Sequence, residues 1–239
     1  MLLQSIAEVL TMTTAESYST KSQFAYGLVR DRILAHQYGP GQVLNQATLA
    51  KELGISTTPL REALRRLSTE GLVELQSHRD ARVTDLSSEE ARDLVEIRLA
   101  LDPLAASLAA QRRTREDIAE LRAAATGMVP LPNDPALSQL IAHRRFHRAI
   151  YLAAHNDILA ATLDGLWDKA DRYRLVGLQV PRDQPERDER ASEHQLLLDS
   201  IIAGDGELAA ETMRKHIGAS LGAKAAFRLG VPGSPTPTV

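Results

Sequence analysis

The sequence predicts a mainly α protein in two parts: a small front domain of helices closed by one β-hairpin, and a larger back domain made only of helices. Three observations predict it. Alanine and leucine abound while aromatics are only 4% of 239 residues, a balance that favours helix over strand. Apolar residues recur at helical spacing along most of the chain, and the only strand candidates are Leu72–Leu75 and Ala81–Thr84, around a polar turn. The length suits one or two domains, each able to bury a core.

Residues 1–19 are Thr/Ser-rich and are expected to form a flexible arm. Phe24, Leu28 and Ile33 give the first helix its period, and the Tyr38-Gly39-Pro40-Gly41 cluster ends it. Asn45 can cap a short helix that Gly54 stops. Ser56 or Thr58 caps the next, with Pro59 in its first turn and Leu60, Ala63, Leu64 and Leu67 inward. The hairpin follows, and the domain boundary falls near Leu86. Ser87-Ser88-Glu89-Glu90 reads as a capping box opening a long helix to about Gln111, with Leu94, Leu101, Ala105 and Leu108 on one stripe. Further helices are expected from Thr114 to the Pro130–Pro135 segment, over Pro135–His155, from Asn156 or Asp157 to Val180, over His194–Ala203, and from Asp205 to near Gly230. The Pro/Ser/Thr tail 231–239 is expected to be disordered.

Composition excludes several functions. There is no cysteine, so a disulfide scaffold, a thiolate nucleophile and a thiolate metal site are ruled out. No apolar run approaches a membrane span and no secretory signal is recognisable, so a cytoplasmic protein with no membrane partner is expected. The net charge of −3 hides an asymmetry: residues 1–85 are neutral and the acidity lies behind them.

Helix, short helix, tight turn, helix and hairpin describe a winged helix-turn-helix over residues 20–85. Leu49-Ala50-Lys51-Glu52-Leu53-Gly54, Thr58-Pro59-Leu60-Arg61-Glu62-Ala63-Leu64 and Glu70-Gly71-Leu72-Val73 stand in register. On these residues the front domain resembles the GntR family of bacterial transcription regulators. Hydroxyls of Ser56, Thr57 and Thr58 at a helix N-terminus suit phosphate, and Arg61 and Arg65 lie one turn apart on one face. His78, Arg79 and Arg82 would sit at or beside the wing, within reach of phosphate or a minor groove. Surface charge is the plainer account of Arg65 and Arg66. Three positions depart from the family: Thr57 and Ala47 stand where Arg is usual, and Asp80 where the wing tip has Gly. Fewer cations imply weaker phosphate binding and a shallower salt dependence.

In the back domain His143 and His147 are spaced i, i+4, so both leave one helix face, shared with Leu140, Ile150 and Ala154. His194 lies on the stripe of Leu197, Leu198 and Ile201, and His216 on that of Met213 and Ile217. Three helices thus aim imidazole inward. One inward histidine is ordinarily a satisfied core residue; four together would each lose solvation, which a metal taking their lone pairs would offset. Glu96-x-Arg98, Phe146-His147, Ala154-His155-Asn156, Glu193-His194, Ala203-Gly204-Asp205 and His216 resemble, in order, the FCD ligand-binding domain of the FadR branch of GntR regulators. The resemblance covers about residues 88–225, within a back domain of 86–230. It implies a divalent metal held by His147, His194 and His216, with His143 at the family's Asp position. Imidazole in place of carboxylate leaves more of the ion's charge uncompensated and favours Zn or Ni over Mn. Arg98 shares the stripe of Leu94 and Leu101; it either pairs with an acid such as Glu96 or Asp93, or clamps a carboxylate effector.

Together these features predict a regulator, expected to be a repressor, that binds double-stranded operator DNA as a homodimer and responds to a small carboxylate effector beside the metal. Two rivals stand: a regulator for which the metal itself is the signal, and a metal-dependent hydrolase. No His-Glu-x-x-His pair supports the second.

Overall fold

The computed structural model describes residues 20–34, 37–76, 80–132, 135, 137–178 and 180–230. The chain divides between Asp85 and Leu86 into two compact units. The expected arm and tail lie outside the described residues.

The front unit runs α1 (Lys21–Leu34), β1 (Val43–Asn45), α2 (Gln46–Glu52), α3 (Thr57–Thr69), β2 (Val73–Leu75) and β3 (Asp80–Val83). Leu60, Leu64 and Leu67 bury one stripe of α3 in one cluster with Val29 and Ile33 of α1 and with Val73 and Val83 of the sheet. Asn45 caps α2, accepting from the Thr48 amide at 3.0 Å. Gly54 takes φ +65° between α2 and α3, a backbone angle that costs glycine least. The sheet is antiparallel with order β1-β3-β2, so the expected hairpin gains a third strand. That strand left no periodic signal, because Leu44 is the one inward residue of its three. Asp80 is not at the wing tip: it opens β3 and accepts from Asn45 Nδ2 at 2.9 Å, tying the strand to the cap of α2. Residues 77–79, with His78 and Arg79, lie outside the described residues.

The back unit consists of α4 (Ser88–Arg112), α5 (Arg115–Thr126), α6 (Leu137–Ala153), α7 (Asp157–Leu178), α8 (Gln184–Ala203), α9 (Gly206–Gly218) and α10 (Leu221–Gly230). The long α4 is central. Ala105, Ala106, Ala109 and Ala110 give it a face of small side chains against which α9 packs closely, while Leu101 and Leu108 are only partly buried beside it. Its expected capping box is half made. Ser87 accepts from the Glu90 amide at 2.9 Å, but the Glu90 carboxylate does not turn back; it takes the Tyr173 hydroxyl and Lys169 Nζ of α7 instead. The complete box is at Thr114 and Asp117 of α5.

Two helix boundaries are settled by the structure. Asp183 caps α8 by accepting from the Glu186 amide at 2.9 Å, so the charged, Pro-containing residues 181–190, readable as loop or helix start, begin the helix ten residues before His194. The expected last helix is two helices, because α9 ends at Gly218 and the Ser220 hydroxyl accepts from the Ala223 amide to start α10. After this break α10 packs on α7 so closely that a Cβ at Gly177 would stand 2.0 Å from the Leu221 carbonyl oxygen. Gly177→Ala is therefore expected to destabilise the protein by about 2 kcal/mol through overpacking. Denaturant titration checks this: the midpoint should fall with an unchanged slope, and an unmoved midpoint would show slack between the two helices.

Candidate functional site

The front unit presents the N-terminal half of α3 outward. Ser56, Thr57, Thr58, Arg61 and Arg65 are all exposed, and Ser56 caps the helix without a side-chain hydrogen bond, leaving the hydroxyl available. Arg61 Nε donates to Gln46 Oε1 at 3.3 Å, which braces the guanidinium against α2. Arg66 instead lies over the Tyr26 ring at 3.7 Å and pairs with Glu70 at 3.1 Å, so it serves the packing of α1 on α3. Arg82 is partly buried and donates to the Gly41 carbonyl at 2.8 Å, holding the sheet to the turn before β1.

In the back unit α6, α8 and α9 bring four imidazoles together. One nitrogen from each of His143, His147, His194 and His216 lies within 4.8 Å of the others. The His147 and His216 rings are stacked at 5.2 Å, and His194 meets His216 edge-on at 4.5 Å. Glu193 Oε2 accepts from His216 Nδ1 at 3.1 Å, which fixes that tautomer and leaves Nε2 with the lone pair. The His147 ring is 1% exposed, yet neither of its nitrogens has a partner, and His194 Nε2 has none either. Burial, and then the neighbouring rings and guanidinia, push His143, His147 and His194 well below the usual imidazole pKa, so the rings are neutral. Neutral, converging and partnerless nitrogens are the donor set a divalent cation requires, and the residues fit such an ion.

These rings line a cavity of about 150 Å³ whose wall also holds Arg98, Trp167, Arg174 and Arg190. Arg98 is buried and makes a two-pronged pair with Asp102, Nη2 to Oδ1 at 3.0 Å and Nε to Oδ2 at 3.2 Å. The expected partners Glu96 and Asp93 are not used; Asp102, one turn on, is. Tyr151 donates its hydroxyl to Asp102 at 2.6 Å and accepts from Trp167 Nε1 at 2.7 Å. Burial disfavours the Arg98 charge, but Asp102 and Tyr151 together outweigh it and hold its pKa above the ordinary value. Arg174 reaches the site from α7: it pairs with Asp171 at 2.9 Å, its Nη2 lies 3.4 Å from His143 Nδ1, and its guanidinium stands 5.1 Å from the Trp167 ring centre.

The same chain matches two families. Residues 21–83 match the bacterial regulatory proteins of the gntR family, and residues 93–219 match the FCD domain. The chain belongs to the gntR family of regulators that carry an FCD domain. Among its relatives is the HTH-type transcriptional repressor GlaR of Escherichia coli (strain K12), 28% identical over 198 residues that make up 80% of this chain and 90% of that protein. Another is the probable D-xylose utilization operon transcriptional repressor of Paenarthrobacter nicotinovorans, 31% identical over 192 residues, 80% and 83% of the two chains. The solved structure of E. coli McbR/YncC superposes with a TM-score of 0.70 over 84% of this chain and 94% of that one at 23% identity, which shows a common fold. The chain is thus a DNA-binding transcriptional regulator of this family and not an enzyme. Among the described residues no helix is long and apolar enough to cross a membrane.

The structure brings the four histidines expected to bind metal to one point and puts Arg98 on the same cavity wall. Arg172 and Arg174, which the sequence left between a weaker effector role and surface charge, are buried, and Arg174 lines the cavity. Asp102 the sequence did not single out, although it is i+4 from Arg98; Glu193, named only within the FCD resemblance, proves to hold His216. Trp167 and Tyr151 carried no signal beyond apolar period. Removing the acid from the buried pair tests its role: Asp102→Ala should cost about 3–5 kcal/mol, because Arg98 keeps its charge without a partner. Chemical denaturation of the variant reads this directly, and a loss under about 1 kcal/mol would mean that Arg98 finds another acid or water.

Proposed function

We propose that this regulator represses transcription by gripping operator DNA as a homodimer through α3, and that a small organic acid bound beside a divalent cation in the helical unit releases it. The supporting observation is the ring of imidazoles on the cavity wall, with His147 buried and unbonded, next to the guanidinia of Arg98 and Arg174. His147, His194 and His216 would hold the ion, with Glu193 orienting His216. His143 is the additional imidazole, facing Arg174. A cation held there, Zn or Ni by the nitrogen donor set, would supply positive charge that draws a carboxylate. Arg174 then orients the acid, and Arg98, whose Nε and Nη2 are held by Asp102, lends its remaining donor edge. Release follows from linkage: the acid acts only by its unequal affinity for the DNA-competent and incompetent states.

On the DNA side, Arg61 and Arg65 face outward in one turn of α3, and the bare N-terminus offers Ser56, Thr57 and Thr58 to a phosphate. Arg82, together with His78 and Arg79 at the wing, would add backbone contacts. Two-fold pairing of half-sites favours a dimer. Exposed Ile97 and Leu104, seven residues apart on one face of α4, offer an apolar strip for it.

Arg61→Ala should weaken operator binding about tenfold or more in a gel-shift titration while leaving the circular dichroism spectrum unchanged; undiminished affinity would remove α3 from the interface. His147→Ala with His194→Ala should empty the site by elemental analysis. Metal content equal to wild type would end the assignment. If chelation alone frees the DNA, with no acid needed, the cation is itself the signal.

A further inference from the structure

We infer that the effector carries two separated anionic groups and that Arg182 binds the outer one, an inference that rests on the effector reading above. Arg182 lies in the connector between α7 and α8, is 8% exposed, and lines the same cavity as the histidines. Its Nη2 donates to the Pro132 carbonyl at 2.6 Å, and its Nε has no partner. Arg98 and Arg174, the other buried arginines of this wall, are neutralised by Asp102 at 3.0 Å and Asp171 at 2.9 Å, and the half-buried Arg190 meets Glu193 at 2.8 Å. Among the described residues no carboxylate pairs with Arg182. The acid whose field it feels most, Glu186, is committed to Lys224 Nζ at 2.5 Å.

A buried guanidinium without a counter-charge is costly, and one carbonyl does not offset a full charge. Burial and the charges of Arg187 and Arg174 accordingly pull its pKa below the ordinary value. Arg187 adds a second cation and stiffens the connector, donating to the Arg182 carbonyl at 2.5 Å and to Gln184 Oε1 at 2.7 Å. With the cation bound, the cavity would have two positive poles: the ion held by the neutral imidazoles, with Arg174 beside it, and Arg182 further out. Its volume of about 150 Å³ matches a cavity that holds benzene, which suits a linear acid of about four to six carbons.

The test is calorimetric titration of the full-length, zinc-loaded protein with matched acids: butyrate against succinate, valerate against glutarate, and hexanoate against adipate. At least one dicarboxylate should bind tenfold or more tightly than its monocarboxylate match. Arg182→Met, close in length and uncharged, should abolish that preference, leave monocarboxylate affinity unchanged and raise the melting temperature of the ligand-free protein. Equal affinities in wild type, or a preference that survives in Arg182→Met, would overturn the outer subsite. Monocarboxylate binding that depends on Arg174 would in that case leave the effector reading standing. If no acid of either kind binds the wild type, both fall.

Discussion

The helical unit turns on one buried ion pair. Arg98 and Asp102 sit a single turn apart on α4, and Asp102 also accepts from Tyr151 of α6, which accepts from Trp167 of α7. Three helices are thereby joined through a chain of satisfied polar groups in a setting where a loose polar atom would be expensive. The chain also aims Trp167. Its ring faces His147 at 5.3 Å and His143 at 5.9 Å, and the guanidinia of Arg98 and Arg174 lie against it. The apolar floor of the cavity and its charged wall are therefore set by the same network.

Against this satisfied network stands a set of groups left unsatisfied. His147 has two nitrogens without partners, His194 has one, and the Nε of Arg182 is also bare. Folded proteins pair nearly all their buried polar atoms; of the exceptions among the described residues, those of Arg113 and Glu193 lie off this cavity wall, while those of His147, His194, Arg182 and Arg190 lie on it. Their chemistry differs in sign. The imidazoles offer lone pairs to a cation, and the guanidinium offers donors to an anion. A ligand acid bridging the two would meet both.

Much of this was legible in the sequence, and the rest was hidden for definable reasons. The α3 stripe of Leu60, Leu64 and Leu67, with Gly54 before it, marked the helix-turn-helix because period and turn chemistry agree. The four histidines were legible because each shares a stripe with large apolar residues. β1 was not, since a three-residue strand with one inward side chain has no period. The break at Ala219-Ser220 was not, because both residues continue a helical pattern and the stop is imposed by packing. Arg174 stood between a weak effector candidate and surface charge, and Arg182 carried no signal at all, since arginine is seldom buried and burial is a property of the assembled cavity. Asp102 could have been chosen over Glu96 and Asp93 had the i, i+4 rule been applied to an inward-facing arginine.

The contact between Gly177 and Leu221 carries a consequence for how this cavity can change over time. Backbone meets backbone there, while Tyr173 and Val176 of α7 pack on Ala225 and Ala226 of α10 beside it. Ala219, Ser220, Leu221 and Gly222 nevertheless supply cavity wall. Substitution of the wall side chains would recut the cavity while this backbone contact holds the two helices at their spacing.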